Sequence, residues 1–247
     1  MIFLGVDACR GGWFFVRRDG NHSDCGVVRN LEELIPPLPE RGFIFVDIPI
    51  GLRDASGEPR PCDTTARRLL GRRRSPSVFP APVRGVLHEN DYASAVETCK
   101  RLTGKGISRQ AFAIVPKVRE VDELLTRNER AREMIREVHP ELCFWALNGR
   151  QPMRHRKKCA QGIAERMQVL RNVLSEADAI CEAALAGFPR KDVAKDDIVD
   201  ALAALATAVA PLGAQLTTPS NPERDSRGMP MQMTYALTAR SEPSWRE

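Results

Sequence analysis

The sequence predicts an α/β fold, on three observations. Two unbroken apolar runs, residues 1–6 and 42–46, each climb to an aspartate, Asp7 and Asp47. Runs of this length, rich in Phe, Ile and Val and bounded by Gly, read as buried strands. Between them the run 13–18 meets Asp19-Gly20, a strong hairpin signal. The second half carries helical periodicity instead, ending in an alanine-rich helix expected over residues 192–210.

In chain order, the first strand breaks at Arg10-Gly11-Gly12 and the hairpin returns over about residues 22–28. A short helix follows the Asn30 cap and stops at Pro36-Pro37. From Gly51 to about Asn128 the composition shifts to Arg, Pro and Gly, with helical patterns from Asp63 through Leu70, from Asp91 to about Leu102, and from Ser108 to Leu125. Loops at 72–82 and 103–106 punctuate this stretch. It reads as a helical insertion at about residues 52–130 within a single domain spanning 1–216. Residues 134–140 read as another strand, with Glu137 inside it. A helix over 141–147 stops at Asn148-Gly149, the basic loop 154–158 precedes a helix over about 159–174, and another helix reaches Ala186. The tail, 217–247, is expected to be irregular.

The chain is 43% hydrophobic and 28% charged with a net charge of +5, which suits a globular protein and permits an anionic partner without requiring one. Seven scattered cysteines form no C-x-x-C pair, so neither a disulfide framework nor a thiolate zinc site is expected. The N-terminus lacks a basic leader pattern, and the longest apolar stretch, 201–210, is too short to span a bilayer. The expectation is a cytoplasmic protein with no membrane partner.

Carboxylates carry the functional argument. Asp7, Asp47 and Glu137 sit on apolar strands, where an acid needs a partner because burying an unpaired charge is expensive. On the last helix Asp197 and Asp200 are three apart and share a face that continues into Ala201, Ala204 and Ala208, small residues that permit close approach to a sheet. Acids in a first helical turn can simply complement the macrodipole. That covers Asp196 and Asp197, but Asp200 lies a turn too deep. Mg²⁺ takes one or two carboxylates per ion, and a pair of ions activates water and steadies the leaving oxygen of a phosphodiester. Asp7, Asp47, Glu137 and Asp200 are the expected ligands for Mg²⁺ or Mn²⁺, with Asp197 assisting catalysis.

The elements GVDACRGGW, FVDIPIGL, RPCDTTARRLLGRRR, TGKGISRQAFAI, REVHPELCFWALNG and DDIVDALAALATA resemble the domain-of-unknown-function family 429 over about residues 3–233. The resemblance implies an RNase H-like fold, a five-stranded mixed sheet with three antiparallel then two parallel strands and helices on both faces, and it implies nuclease activity by fold analogy. Asp7 matches the strand-one acid of that superfamily and Asp47 the acid ending strand four. Asp197 and Asp200 match the spacing on the final helix of junction resolvases, whereas Glu137 departs from the resolvase pattern. Resolvases act as dimers, so a homodimer is among the states the resemblance allows.

The expected partner is nucleic acid of undefined type, with Arg10, Arg72, Arg73, Arg74, Lys157 and Lys158 as phosphate contacts. His139 is a candidate general base or additional ligand. Residues 103–108 lack the frame of a P-loop, and Cys9 has no assured basic partner for a nucleophile's role. The competing reading is a catalytically silent scaffold that binds nucleic acid or a protein, its acids held in salt bridges by Arg10, Arg136 or Lys195. Phosphoryl transfer of the actin or sugar-kinase type ranks last, since it needs a second copy of the fold and the chain has no internal repeat.

Overall fold

A computed structural model describes residues 1–39 and 42–238. In chain order the elements are β1 (Ile2–Cys9), β2 (Gly12–Asp19), β3 (His22–Val28), β4 (Gly42–Val46), α1 (Pro61–Arg74), α2 (Tyr92–Thr103), α3 (Arg109–Ala113), α4 (Val115–Arg127), α5 (Glu129–Met134), β5 (Ile135–Glu137), α6 (Pro140–Leu147), α7 (Ala160–Arg171), α8 (Ala177–Gly187), α9 (Lys195–Ala208), β6 (Gln215–Thr218) and β7 (Met233–Ala236). The chain divides into two compact units. The first comprises residues 1–47, 134–216 and the C-terminal residues from 234; the second comprises 48–133 and 217–233.

The first unit is built on a five-stranded sheet in the order β3-β2-β1-β4-β5. β1, β2 and β3 pair antiparallel, and β4 and β5 then run parallel to β1. This is the mixed sheet of the RNase H-like description. The expected hairpin turn is present, with Asp19 opposite His22 and Gly20 at φ +58°, a conformation a glycine adopts without steric cost. The helices α6, α7, α8 and α9 form one apolar layer with Phe14 and Phe45 of the sheet and Val138 just beyond β5.

α9 lies closest. A Cβ on Gly5 would come within 2.2 Å of both the Ala201 carbonyl and the Leu205 amide. Glycine on β1 and alanine on α9 therefore set backbone against backbone, the close approach that the small-residue face of that helix predicts.

The second unit is mainly helical, with α1 to α4 and most of α5. Its core gathers buried Leu70, Val86, Val118, Val121 and Leu124. The helix expected from Ser108 to Leu125 is two helices. Pro116 supplies no amide, so α3 ends at Ala113 and α4 begins at Val115. Each start has a physical cause: Ser108 Oγ accepts from the Ala111 amide at 3.1 Å, and Asp91 Oδ1 caps α2 by accepting from the Ser94 amide at 2.9 Å.

Three boundaries differ from expectation. The strand expected over 134–140 is only three residues long, because α5 runs through Met134 and Pro140 opens α6. Arg72, Arg73 and Arg74 end α1 rather than lying in a loop, with Gly71 breaking the helix at φ +64° just before them. The expected irregular tail carries the end of β6 and all of β7, which pair with each other; its residues 239–247 lie outside the described residues.

Candidate functional site

The acids converge in the first unit because of strand register. Val6 of β1 pairs with Val46 of β4, and the Asp47 amide donates to the Val6 carbonyl at 3.1 Å. One step further along, Asp7 and Asp47 stand side by side at the carboxyl ends of adjacent central strands. In open α/β sheets that end is where ligands bind. Asp7 shares its face of β1 with Gly5, two residues earlier, and that is the face α9 covers. The register of α9 against Gly5 then brings Asp200, adjacent to Ala201, to the same corner. Asp7 is 8% exposed and Asp200 only 2%.

A cation sits among these acids. Lys157 Nζ, from the basic loop before α7, donates to Asp200 Oδ2 at 2.6 Å. Burial pushes the Asp7 carboxyl well above the ordinary carboxylate range, with Asp47 and then Asp200 adding to the push and Lys157 opposing it. Burial also lifts Asp200 to about 6, Lys157 pulling it down while Asp47 and Glu141 raise it. Asp47 is raised by burial too, against the favourable influence of His139 and Lys157. Burial disfavours the charge on Lys157, but Asp200 first and Asp7 next hold the ammonium protonated. Three carboxylates and one ammonium thus form a single electrostatic unit.

Asp197 occupies its edge. Its Oδ2 accepts from the Ala194 amide at 2.9 Å, which caps α9. Its carboxyl is raised by burial and by Asp196, and lowered by that amide and by Lys157 and Lys158. The capping role expected of a first-turn acid and a place beside the cluster coexist in this one residue.

Glu137 does not join Asp7, Asp47 and Asp200. In the β4–β5 register Glu137 is opposite Val46, so it lies on the Val6–Val46 side of the sheet, away from Asp7. It is buried there at 4% exposure. The fourth carboxylate near the site is Glu141, in the first turn of α6, which raises both Asp47 and Asp200. Glu141 is itself tied to Arg166, a fully buried residue that also donates to the Gly162 carbonyl at 2.9 Å and the His155 carbonyl at 3.2 Å.

The expected phosphate contacts separate. Lys157 joins the acidic cluster through Asp200 while its side chain stays 42% exposed. Lys158 is 80% exposed, 3.9 Å from Asp196, and Arg10 is exposed in the β1–β2 turn. Arg72, Arg73 and Arg74 belong to the other unit. The Cys9 thiol is pushed up by burial, the opposite of what a nucleophile needs. Reasoning from sequence missed Glu141 and Arg166; the one local signal was Glu141 two residues beyond His139 at a proline-opened helix start.

In donor chemistry Asp7, Asp47 and Asp200 suit a hard divalent ion, which takes carboxylate oxygens. Among the described residues their oxygens do not all lie within 4.8 Å of one another. The Lys157–Asp200 pair occupies that corner. A family model described as "Protein of unknown function (DUF429)" matches residues 5–224. No curated protein and no solved structure gives a significant match.

Proposed function

Since the chain belongs to the DUF429 family, whose function is unknown, we propose from its own geometry that it is a metal-dependent nuclease hydrolysing phosphodiester bonds. The observation that carries this reading is the meeting of Asp7, Asp47 and Asp200 at the carboxyl ends of two central strands, Asp7 and Asp200 buried, Asp47 half-buried, and the three repelling one another. Acids so placed are costly unless a cation neutralises them. Asp7, Asp47 and Asp200 would hold Mg²⁺ or Mn²⁺. Such ions, when bound, supply activation of a water and stabilisation of the leaving oxygen.

The chain's own residues have definable parts. Asp7 and Asp47 sit on paired strands, a rigid base for a ligand set. Asp200 is presented by a helix locked to that base through Gly5. Lys157 holds Asp200, and were that carboxylate to hold an ion instead, the ammonium would be free to meet a phosphate oxygen. Glu141, fixed by Arg166, adds negative potential that favours cation binding.

Wild-type protein should cut at least one member of a labelled DNA and RNA panel in Mg²⁺ or Mn²⁺, and Asp7→Asn should cut none while keeping its fold. Equal cleavage by the variant would remove Asp7 from the chemistry. The scaffold reading is favoured by the 2.6 Å Lys157–Asp200 pair, although its partner is Lys157 rather than Arg10, Arg136 or Lys195. The two readings divide on thermal stability: millimolar Mn²⁺ should raise the melting temperature of a nuclease site and leave a salt-bridged scaffold unchanged.

A further inference from the structure

The second unit holds a cleft of about 330 Å³ whose charge is one-sided. Arg53, Arg60, Arg67 and Lys105 line it, against Glu58 and Asp63. Asp63 is neutralised internally: Arg60 donates to its two oxygens at 2.6 and 3.2 Å, and both residues are buried. Arg60 is fixed further by the Ile50 carbonyl at 3.0 Å. That pair forms an electrically neutral floor.

Three cations remain, drawn from separate parts of the chain. Arg53 pairs through Nη1 with Glu223 at 2.8 Å, while its Nε is buried with no hydrogen-bond acceptor among the described residues. Arg67 is anchored by Nε to the Val78 carbonyl at 2.5 Å, yet the residue is exposed. Lys105 stands exposed in the loop between α2 and α3. The segment carrying Arg53 is pressed onto the end of α2, since a Cβ on Gly57 would meet the Thr103 carbonyl at 2.6 Å. Like charges lining one cleft repel. An oxyanion relieves that repulsion. Pro59, Pro80, Pro82, Val83 and Ile107 give the cleft an apolar wall as well, beside Ser56, Thr103 and Ser108.

We propose that this cleft binds a small organic phosphate monoester, its phosphate between Arg53, Arg67 and Lys105 and its organic part on the proline wall. Arg67 and Lys105, with Arg53 shared with Glu223, suit a dianion better than a single carboxylate, and the guanidinium fork matches phosphate geometry. The volume lies at the lower end of the roughly 300–1,000 Å³ of small-molecule pockets, which fits a nucleoside monophosphate or sugar phosphate. The assignment is independent of the nuclease reading, because every residue it uses lies within the helical unit.

The test is calorimetric titration of the full chain with inorganic phosphate, ribose 5-phosphate, AMP and a 5′-phosphorylated oligonucleotide, repeated on the Arg67→Gln, Lys105→Gln double variant. Both substituted side chains are exposed and the variant loses the Arg67–Val78 hydrogen bond, so it should stay folded with a slightly lower melting temperature. Saturable binding of a monoester, tenfold or more weaker in the variant, is the expected result. No monoester binding by wild type, or equal affinity in the variant, would overturn the proposal. Inorganic phosphate binding as tightly as the esters would overturn the role of the proline wall. Capture of the oligonucleotide alone would replace the small ligand with a strand end.

Discussion

Lys157 decides the state of the acidic cluster, because one ammonium sits where a divalent ion would have to act. Its partner Asp200 is buried, so the pair is a real competitor for any ion that recruits that carboxylate. Lys157→Met should therefore raise Mn²⁺ affinity at least tenfold by calorimetry, while lowering the melting temperature of the metal-free protein, since the acids lose their counter-charge. Unchanged affinity would mean that Asp200 and the ion never compete for the same space. The pH dependence has a definite sign. Asp200 keeps its proton to about 6 in the folded state, against 3.8 for an unperturbed carboxyl. Between those values the folded state binds more protons than the unfolded, so the metal-free protein loses stability as pH rises through that window. The loss from Asp200 is on the order of 2–3 kcal/mol and is complete above the raised value. Differential scanning from pH 4 to 7.5 without metal should show the decline, and Asp200→Asn should make it shallower, the share from Asp7 and Asp47 remaining. Much of this site was legible in the sequence. Asp7 and Asp47 announced themselves as acids closing apolar strands, and Asp200 as an acid too deep in a helix for the dipole to explain. Glu137 has the same local signature as Asp7 and lies on the other face, because a strand's face is set by its register with its neighbour. Lys157 looked like a surface cation because nothing local tells a loop lysine that folds inward from one that does not.

Among the elements, α9 is the one whose placement the site depends on. Its contact with β1 is backbone on backbone, with 2.2 Å available where a methyl group would go, so no side-chain rotation can relieve an added carbon. Gly5→Ala should destabilise by about 3 kcal/mol, the upper part of the range for overpacking. It should also weaken metal binding by shifting Asp200 away from Asp7. Chemical denaturation and Mn²⁺ titration read the two effects, and a variant that binds metal normally would show that α9 can slide without loss. Asp197 separates capping from chemistry at the start of the same helix. Asp197→Asn keeps an acceptor for the Ala194 amide and should hold stability near wild type, whereas Asp197→Ala should lose about 1 kcal/mol with the cap. The close approach of α9 was readable from its alanines and from the glycine two residues before Asp7. Shorter elements were not. α5 and α6 claim both ends of the strand expected at 134–140, and only three residues pair with β4, a competition between proline-started helix and sheet that residue preference does not rank.

At the scale of the whole molecule, the two units carry opposite electrostatic designs. The first gathers acids that repel, with one lysine among them. The second contains a buried network in which Arg84, 7% exposed, donates to Asp54 at 2.6 Å, to Asp122 at 3.0 Å, to Ser226 at 3.0 Å and to Asp225. Arg227 reaches Asp122 as well, at 2.8 Å. Burial alone would raise the Asp225 carboxyl, but the Leu52 amide and Arg84 hold it below its ordinary range. A carboxyl so lowered stabilises the fold above the unfolded pKa, and that contribution is lost as pH falls through the lowered value. The acids of the first unit behave in the reverse sense. Acidifying metal-free protein from pH 7 to 5 should therefore strengthen hydrogen-exchange protection in residues 1–47 and 134–216, while residues 48–133 hold theirs until the pH is lower still, after correction for the intrinsic exchange rate. Arg84→Met sharpens the same comparison. It leaves Asp122 and Asp225 buried without their main counter-charge, a change that costs about 3–5 kcal/mol when a buried pair is broken from one side. Protection should collapse across 48–133 and 217–233 and persist in β1, β2 and β4 if each unit opens by itself. A uniform loss across both sets of peptides would instead make the whole chain one cooperative body, and the opposed pH responses would then cancel within a single transition.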